Sequence, residues 1–152
     1  MLRLNKLTDY GAVVLSHMTH EKGEIHSAAE IAQVTGISLP TVSKLLKLLT
    51  RSGLVHSMRG AKGGYCLNGS AERISVAEII QAIEGPIALT ECSFSEDACH
   101  HPANCAIRGN WTVINQAIKT ALEAVSLADL AGRERTPAPG EFKLKMDHLS
   151  RD

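Results

Sequence analysis

Aromatic side chains are scarce in this chain: one Trp, two Tyr and two Phe in 152 residues. Aromatic-rich strand patterns are therefore absent. The core has to come from Leu, Ile, Val and Ala, a composition that leans helical. No apolar run approaches the roughly 20 residues that a membrane span requires. The opening Met1-Leu2-Arg3-Leu4-Asn5-Lys6 lacks the apolar stretch and small-residue cleavage site of a secretory signal. A cytoplasmic protein without membrane contact is expected. A CxxC pair, a glycine-rich nucleotide loop and a convincing nucleophile–base pair are also missing, so neither an enzyme nor a small-molecule substrate is expected. There is no internal repeat.

Net charge is absent too, with 16 basic and 16 acidic residues, but the balance hides an asymmetry. Residues 1–68 carry eight Lys or Arg against four Asp or Glu, whereas residues 69–152 carry eight against twelve. A basic half joined to an acidic half suits one surface that faces nucleic acid and another that faces elsewhere. Random partition of surface charge is the plainer alternative.

Apolar spacing organises the basic half. Leu4, Leu7, Tyr10, Val14 and Met18 predict a first helix over about 6–20. Ser27-Ala28-Ala29-Glu30 has the form of a capping box for a second helix, which should run to about Thr35 before a turn at Gly36. Leu39-Pro40 opens a third helix, burying Val42, Leu45, Leu46 and Leu49 and presenting Thr41, Ser43, Lys44 and Lys47 outward. Two short helices across a glycine turn form a helix-turn-helix pattern. Strands at Leu54–Met58 and Gly64–Leu67 flank the basic, glycine-rich Arg59-Gly60-Ala61-Lys62-Gly63-Gly64, which suits a hairpin wing. Arg59 and Lys62 at its tip would reach phosphate or the minor groove. An ordinary soluble hairpin is the competing reading.

Ser75-Val76-Ala77-Glu78 is a second capping-box sequence, and Val76, Ile79, Ile80 and Ile83 mark the buried face of the helix that follows. A long helix is predicted beyond the aperiodic residues 86–106, with Trp111, Ile114, Ile118, Ala121, Leu122 and Val125 along one stripe. Packing against the same helix of a second subunit would cover that stripe. Packing against the first helix of the same chain is the alternative. From Ala131 the sequence turns polar and reads as a flexible tail. The expected architecture is mainly α with a small β-hairpin wing: a winged helix-turn-helix at 1–85, a cysteine-containing loop at 86–106, a dimerisation helix at 107–130 and a tail at 131–152.

Three of the four cysteines fall within fourteen residues, as Cys92-x6-Cys99-x5-Cys105. Thiolates are soft ligands for iron, zinc or copper. Structural zinc sites more often pair cysteines two to four residues apart, so the wider spacing suits a bulky iron–sulfur cluster better. Zinc binding and simple thiol oxidation remain alternatives, as does a small redox or iron–sulfur delivery protein. His100, His101 and Asp9 are candidates for a fourth ligand. Cys66, in a wing strand, reads as a packed residue.

The sequences Leu7-Thr8-Asp9-Tyr10-Gly11, Ala28-Ala29-Glu30-Ile31-Ala32, Leu39-Pro40-Thr41-Val42-Ser43-Lys44-Leu45-Leu46, Gly53-Leu54-Val55 and Arg59-Gly60-Ala61-Lys62-Gly63-Gly64-Tyr65 resemble the Rrf family of bacterial winged-helix regulators, the IscR/NsrR group. With the three cysteines, the similarity covers about residues 1–130 and looks closest to the regulators of SUF iron–sulfur assembly genes. It implies a homodimer with crossed long helices that reads palindromic double-stranded operator DNA, and a repressor whose affinity follows its iron–sulfur cluster, [2Fe–2S] in preference to [4Fe–4S]. The cluster ligands would be Cys92, Cys99 and Cys105. Some members use a histidine three residues after the last cysteine, where this chain has Arg108. Others recruit an acidic residue from the partner's first helix, which makes Asp9 the preferred fourth ligand, with His100 or His101 behind it. Ser38, Thr41, Ser43 and Lys44 would meet base edges or nearby phosphates, and Lys47, Arg51, Arg59 and Lys62 would supply backbone charge.

Overall fold

Asn5 starts the first helix by accepting a 2.7 Å hydrogen bond from the Leu7 N–H through its side-chain oxygen. In the computed structural model, which describes residues 3–20, 23–94 and 108–132, this helix (α1) spans Lys6–His17. It stops short of residue 20 because Met18 and Thr19 turn their N–H groups back to carbonyls of the last turn. The capping box at Ser27 and Glu30 opens α2, Ala28–Thr35. Gly36 then adopts φ +71°, a left-handed conformation that side chains resist, and so permits the tight turn. Pro40 lies in the first turn of α3, Leu39–Arg51, where no intrahelical N–H bond is needed. The predicted stripe of Val42, Leu45, Leu46 and Leu49 is fully buried against Val14 and Leu15 of α1 and Ile31 of α2 within one core.

The wing consists of β1, Val55–Met58, and β2, Gly64–Leu67, paired antiparallel with Val55 opposite Leu67 and Met58 opposite Gly64. A third position joins it from the chain between α1 and α2. His26 and Tyr65 exchange both backbone hydrogen bonds, each at 2.8 Å. Gly64 allows this approach, since a Cβ there would lie only 2.7 Å from the His26 carbonyl oxygen and the Ile25 side chain. Asn68 closes the wing by donating to the Gly53 carbonyl at 2.8 Å.

After a 3-10 turn at Ala71–Arg73, the second capping box opens α4, Val76–Glu84. Ser75 and Glu78 bond reciprocally, at 2.8 and 3.2 Å. Replacing Ser75 with Ala is expected to lower unfolding free energy by about 1 kcal/mol, read as a decreased midpoint in thermal or urea denaturation. At the far end of α4, Glu84 accepts from the Asn5 N–H and from the Thr8 hydroxyl, fastening α4 across α1.

The carboxy-terminal part departs from expectation at one place. A short helix, α5, covers Glu91–Phe94, and α6 covers Arg108–Glu123. The periodic stripe predicted a single helix through Val125 and on to residue 130, but α6 ends at Glu123. Val125 sits in the turn, where its carbonyl accepts from the Val76 N–H at 2.9 Å. A third capping box, Ser126 with Asp129, then starts α7, Leu127–Ala131. Leu127 is completely buried in the amino-terminal core, and its N–H donates to the Ile74 carbonyl. Local capping and the burial of Leu127 prevail over the helical period. The architecture is thus mainly α, with a hairpin wing on a helix-turn-helix and an additional carboxy-terminal helix. Among the described residues no helix is long and apolar enough to cross a membrane.

Candidate nucleic-acid interface

The face of α3 turned away from the core carries Ser43, Lys44, Lys47 and Arg51, all exposed. These four side chains line a shallow groove with Thr50 of the same helix and with Ser57 and Tyr65 of the wing strands. At the start of α3 the Ser38 and Thr41 hydroxyls bond to each other at 2.8 Å, with Ser38 exposed and Thr41 half-buried. Arg59 and Lys62 stand exposed in the connection between β1 and β2. None of the five basic side chains is engaged by an acidic group among the described residues. The arrangement is a cationic helix face beside a cationic hairpin, with hydroxyl groups between them. Such a surface can neutralise phosphates and donate hydrogen bonds to base edges. Sequence patterning had placed the basic residues and the wing up to Tyr65 but missed Ser57, which reaches the groove opposite Tyr65 through the wing's register.

The cysteine segment is described at its beginning. Cys92 lies in α5, whose backbone alone is described at that residue. Cys99, His100, His101 and Cys105 lie outside the described residues, as does the tail from residue 133. A side chain of α6 holds the segment entering α5. Asn115 accepts from the Leu89 N–H at 3.0 Å and donates to the Ile87 carbonyl at 3.1 Å. Thr90 adds a start signal for α5, its hydroxyl bonding that of Ser93 at 2.9 Å and its carbonyl accepting the Ser93 N–H. Along α6, Trp111, Val113 and Ile114 are exposed, while Ile118, Ala121 and Leu122 are half-covered. Asp9 is exposed on α1, in a hollow formed with Arg3, Leu4, Ala12, Val76 and Leu130. Cys66 is half-buried in β2 opposite His56, in keeping with a packed residue.

A cluster absent from the sequence reading lies behind the wing. His17 at the end of α1, His26 beside β2 and Glu30 in the first turn of α2 bring one ligand-capable atom each within 4.8 Å of one another. Burial, followed by the neighbouring His26 and His20, lowers the His17 pKa below its usual 6.5 against the opposing pull of Glu30. The available signal was the spacing of His26 and Glu30 by one helical turn, but His17 joins them only through the tertiary fold.

The sequence pattern of the Rrf2 family, described as iron-dependent transcriptional regulators, matches residues 4–133. This chain belongs to the Rrf2 family. Two helix-turn-helix-type transcriptional regulators of Neisseria meningitidis, from serogroups A and B, are each 37% identical over 132 residues, covering 87% of this chain and 87% of theirs. Among solved structures, the global cysteine regulator CymR of B. subtilis superposes with a TM-score of 0.68 at 31% identity, covering 86% of this chain and 97% of that one. IscR of T. potens superposes with a TM-score of 0.61 at 26% identity, covering 85% of each. As an Rrf2 protein, this chain is a DNA-binding transcriptional regulator rather than an enzyme.

Proposed function

We propose that this Rrf2 protein is a repressor of iron–sulfur assembly genes, most like the SUF-system regulators, whose grip on operator DNA depends on an iron–sulfur cluster. The observation that carries the reading is the position of Cys92. It begins a run of three cysteines within fourteen residues and lies on α5, just after the Ile87–Leu89 segment that Asn115 bonds to α6. The family's description as iron-dependent regulators supports it.

The donor set fits such a group, since three soft thiolates in one short segment supply three of the four protein ligands that an iron–sulfur cluster takes. Cys92, Cys99 and Cys105 would hold it, with Asp9 of a partner subunit as the preferred fourth ligand and His100 or His101 behind. When bound, a [2Fe–2S] group, favoured over [4Fe–4S], would supply an oxidation- and iron-sensitive cross-link among these residues. The exposed face of Trp111 and Ile114 supports a homodimer in which the α6 helices cross. In this division of labour residues 1–85 read DNA, 86–106 carry the ligands and 107–130 join the subunits, although α7 returns to pack on the DNA-reading unit. Binding or loss of the cluster would bear through Asn115 on α6, and so on the separation of two α3 helices, which must match the operator's half-site spacing.

Anaerobic titration of a palindromic operator with iron-loaded and metal-free protein tests the reading. Affinities differing by at least ~10-fold are expected, within the usual span of allosteric coupling. Equal affinities would remove the regulatory claim. The likeness to CymR, a cysteine regulator, favours a second reading in which the chain does not sense an iron–sulfur cluster; the same thiols would then act by oxidation or by binding zinc. A colourless protein with one zinc per chain held by these cysteines would select it.

A further inference from the structure

We propose that His17, His26 and Glu30 form a second metal site, separate from the cysteine segment, that takes a divalent transition-metal ion of the zinc class and braces the wing against the helix-turn-helix. Two imidazoles and a carboxylate are a common donor set for Zn2+, and a fourth position is then filled by water or another side chain.

The surroundings point to a ligand rather than to ordinary packing. His26 is only 3% exposed, yet its Nε2 has no hydrogen-bond partner among the described residues, and the same holds for the buried Nε2 of His17. The two ring centroids lie 5.2 Å apart with planes inclined by 57°. Leaving buried ring nitrogens unpaired is costly, and an ion in this cluster would engage His26 through Nδ1, the nitrogen that faces Glu30, and give His17 Nε2 a partner. Glu30 is already held in place. One of its oxygens caps the Ser27 N–H, and the other lies 3.4 Å from His26 Nδ1.

The site sits where three elements meet. His17 ends α1, Glu30 begins α2, and His26 is bonded through its backbone to Tyr65. Tyr65 lines the basic groove with Lys44, Lys47 and Arg51. A bound ion would therefore fix the wing's angle to α3 from behind, without touching DNA.

The test uses the full chain with Cys92, Cys99 and Cys105 replaced by serine, so that these thiols cannot compete for metal. After chelator treatment and dialysis, zinc chloride alone is titrated calorimetrically, and cobalt chloride is followed by visible absorption. One ion per chain is expected, with a rise in thermal midpoint and a nitrogen- and oxygen-type cobalt spectrum free of thiolate charge-transfer bands. Glu30→Gln keeps the capping geometry, because Gln serves at that position too, but removes the charged ligand. It and His17→Gln should each weaken zinc binding by more than the roughly 10-fold that loss of an outer partner already costs. Circular dichroism of the metal-free variants verifies their fold, and Glu30→Gln keeps the test valid if a histidine variant fails to fold. Absence of zinc binding in the cysteine-substituted chain overturns the proposal. So does unchanged affinity in folded Glu30→Gln, or thiolate bands showing the metal at Cys66. These outcomes do not bear on iron binding by the cysteine segment, so the two readings stand or fall separately.

Discussion

Replacing Lys44 and Arg59 together with alanine is expected to weaken operator binding on the order of 100-fold near 0.1 M salt, with little loss of stability. Lys44 projects from α3 into the groove, and Arg59 stands in the wing connection. Both are exposed and neither has an acidic partner among the described residues, so their removal breaks no ion pair in the fold. A homodimer would lose four cations at the DNA surface. Each phosphate contact contributes about 0.9 to the slope of log affinity against log salt, so the slope should fall by up to about four. A duplex operator selected from random sequence and titrated by fluorescence anisotropy at several salt concentrations gives both numbers. Lys119→Ala is a suitable control. Lys119 pairs with Glu123 on α6 at 3.8 Å and should leave affinity nearly unchanged. An unaltered affinity and slope in the double variant would move the DNA-reading surface away from α3 and the wing.

Much of that surface could be read from the chain because it is built from local rules. The Ser27 and Ser75 boxes, the left-handed Gly36 and the four-residue buried stripe of α3 each depend on neighbours within one or two turns. The wing strands were legible for the same reason, their glycines and charges marking the connection between them. Contacts between distant segments were not. The end of α6 is fixed by Ile74 and Val76, whose backbones pair with Leu127 and Val125 some fifty residues later. A sign of it was nonetheless present, since Ser126-Leu127-Ala128-Asp129 has the same capping form as the two boxes that were recognised. The role of Asn115 followed from no pattern at all. A polar residue on a helix stripe reads as solvated until the Ile87–Leu89 segment is seen to bond to it. His17 and His26 belong to the same class, nine positions apart in sequence and joined only when α1 meets the wing.

The triple replacement of Cys92, Cys99 and Cys105 with serine should abolish iron and sulfide incorporation during anaerobic reconstitution and remove the accompanying visible absorption. Serine keeps the size of each side chain but replaces a soft thiolate with a hydroxyl that remains protonated near neutral pH, so the chain loses the ligands that suit iron–sulfur chemistry. Cys66→Ser should retain both iron and colour, because Cys66 belongs to the wing, paired across from His56. Asp9→Ala gives an intermediate test. If the partner's first helix supplies the fourth ligand, iron content should fall or the spectrum should change, while a folded monomer-to-dimer equilibrium persists. The link to DNA can then be separated from ligand binding by Asn115→Ala, which removes the two hydrogen bonds Asn115 makes to the segment entering α5. That variant should still take up iron, yet show a smaller difference in operator affinity between loaded and metal-free forms. Retention of full iron and sulfide content by the triple serine variant would place the group on other residues. Full coupling in Asn115→Ala would show instead that the cysteine segment reaches α3 by a route other than Asn115.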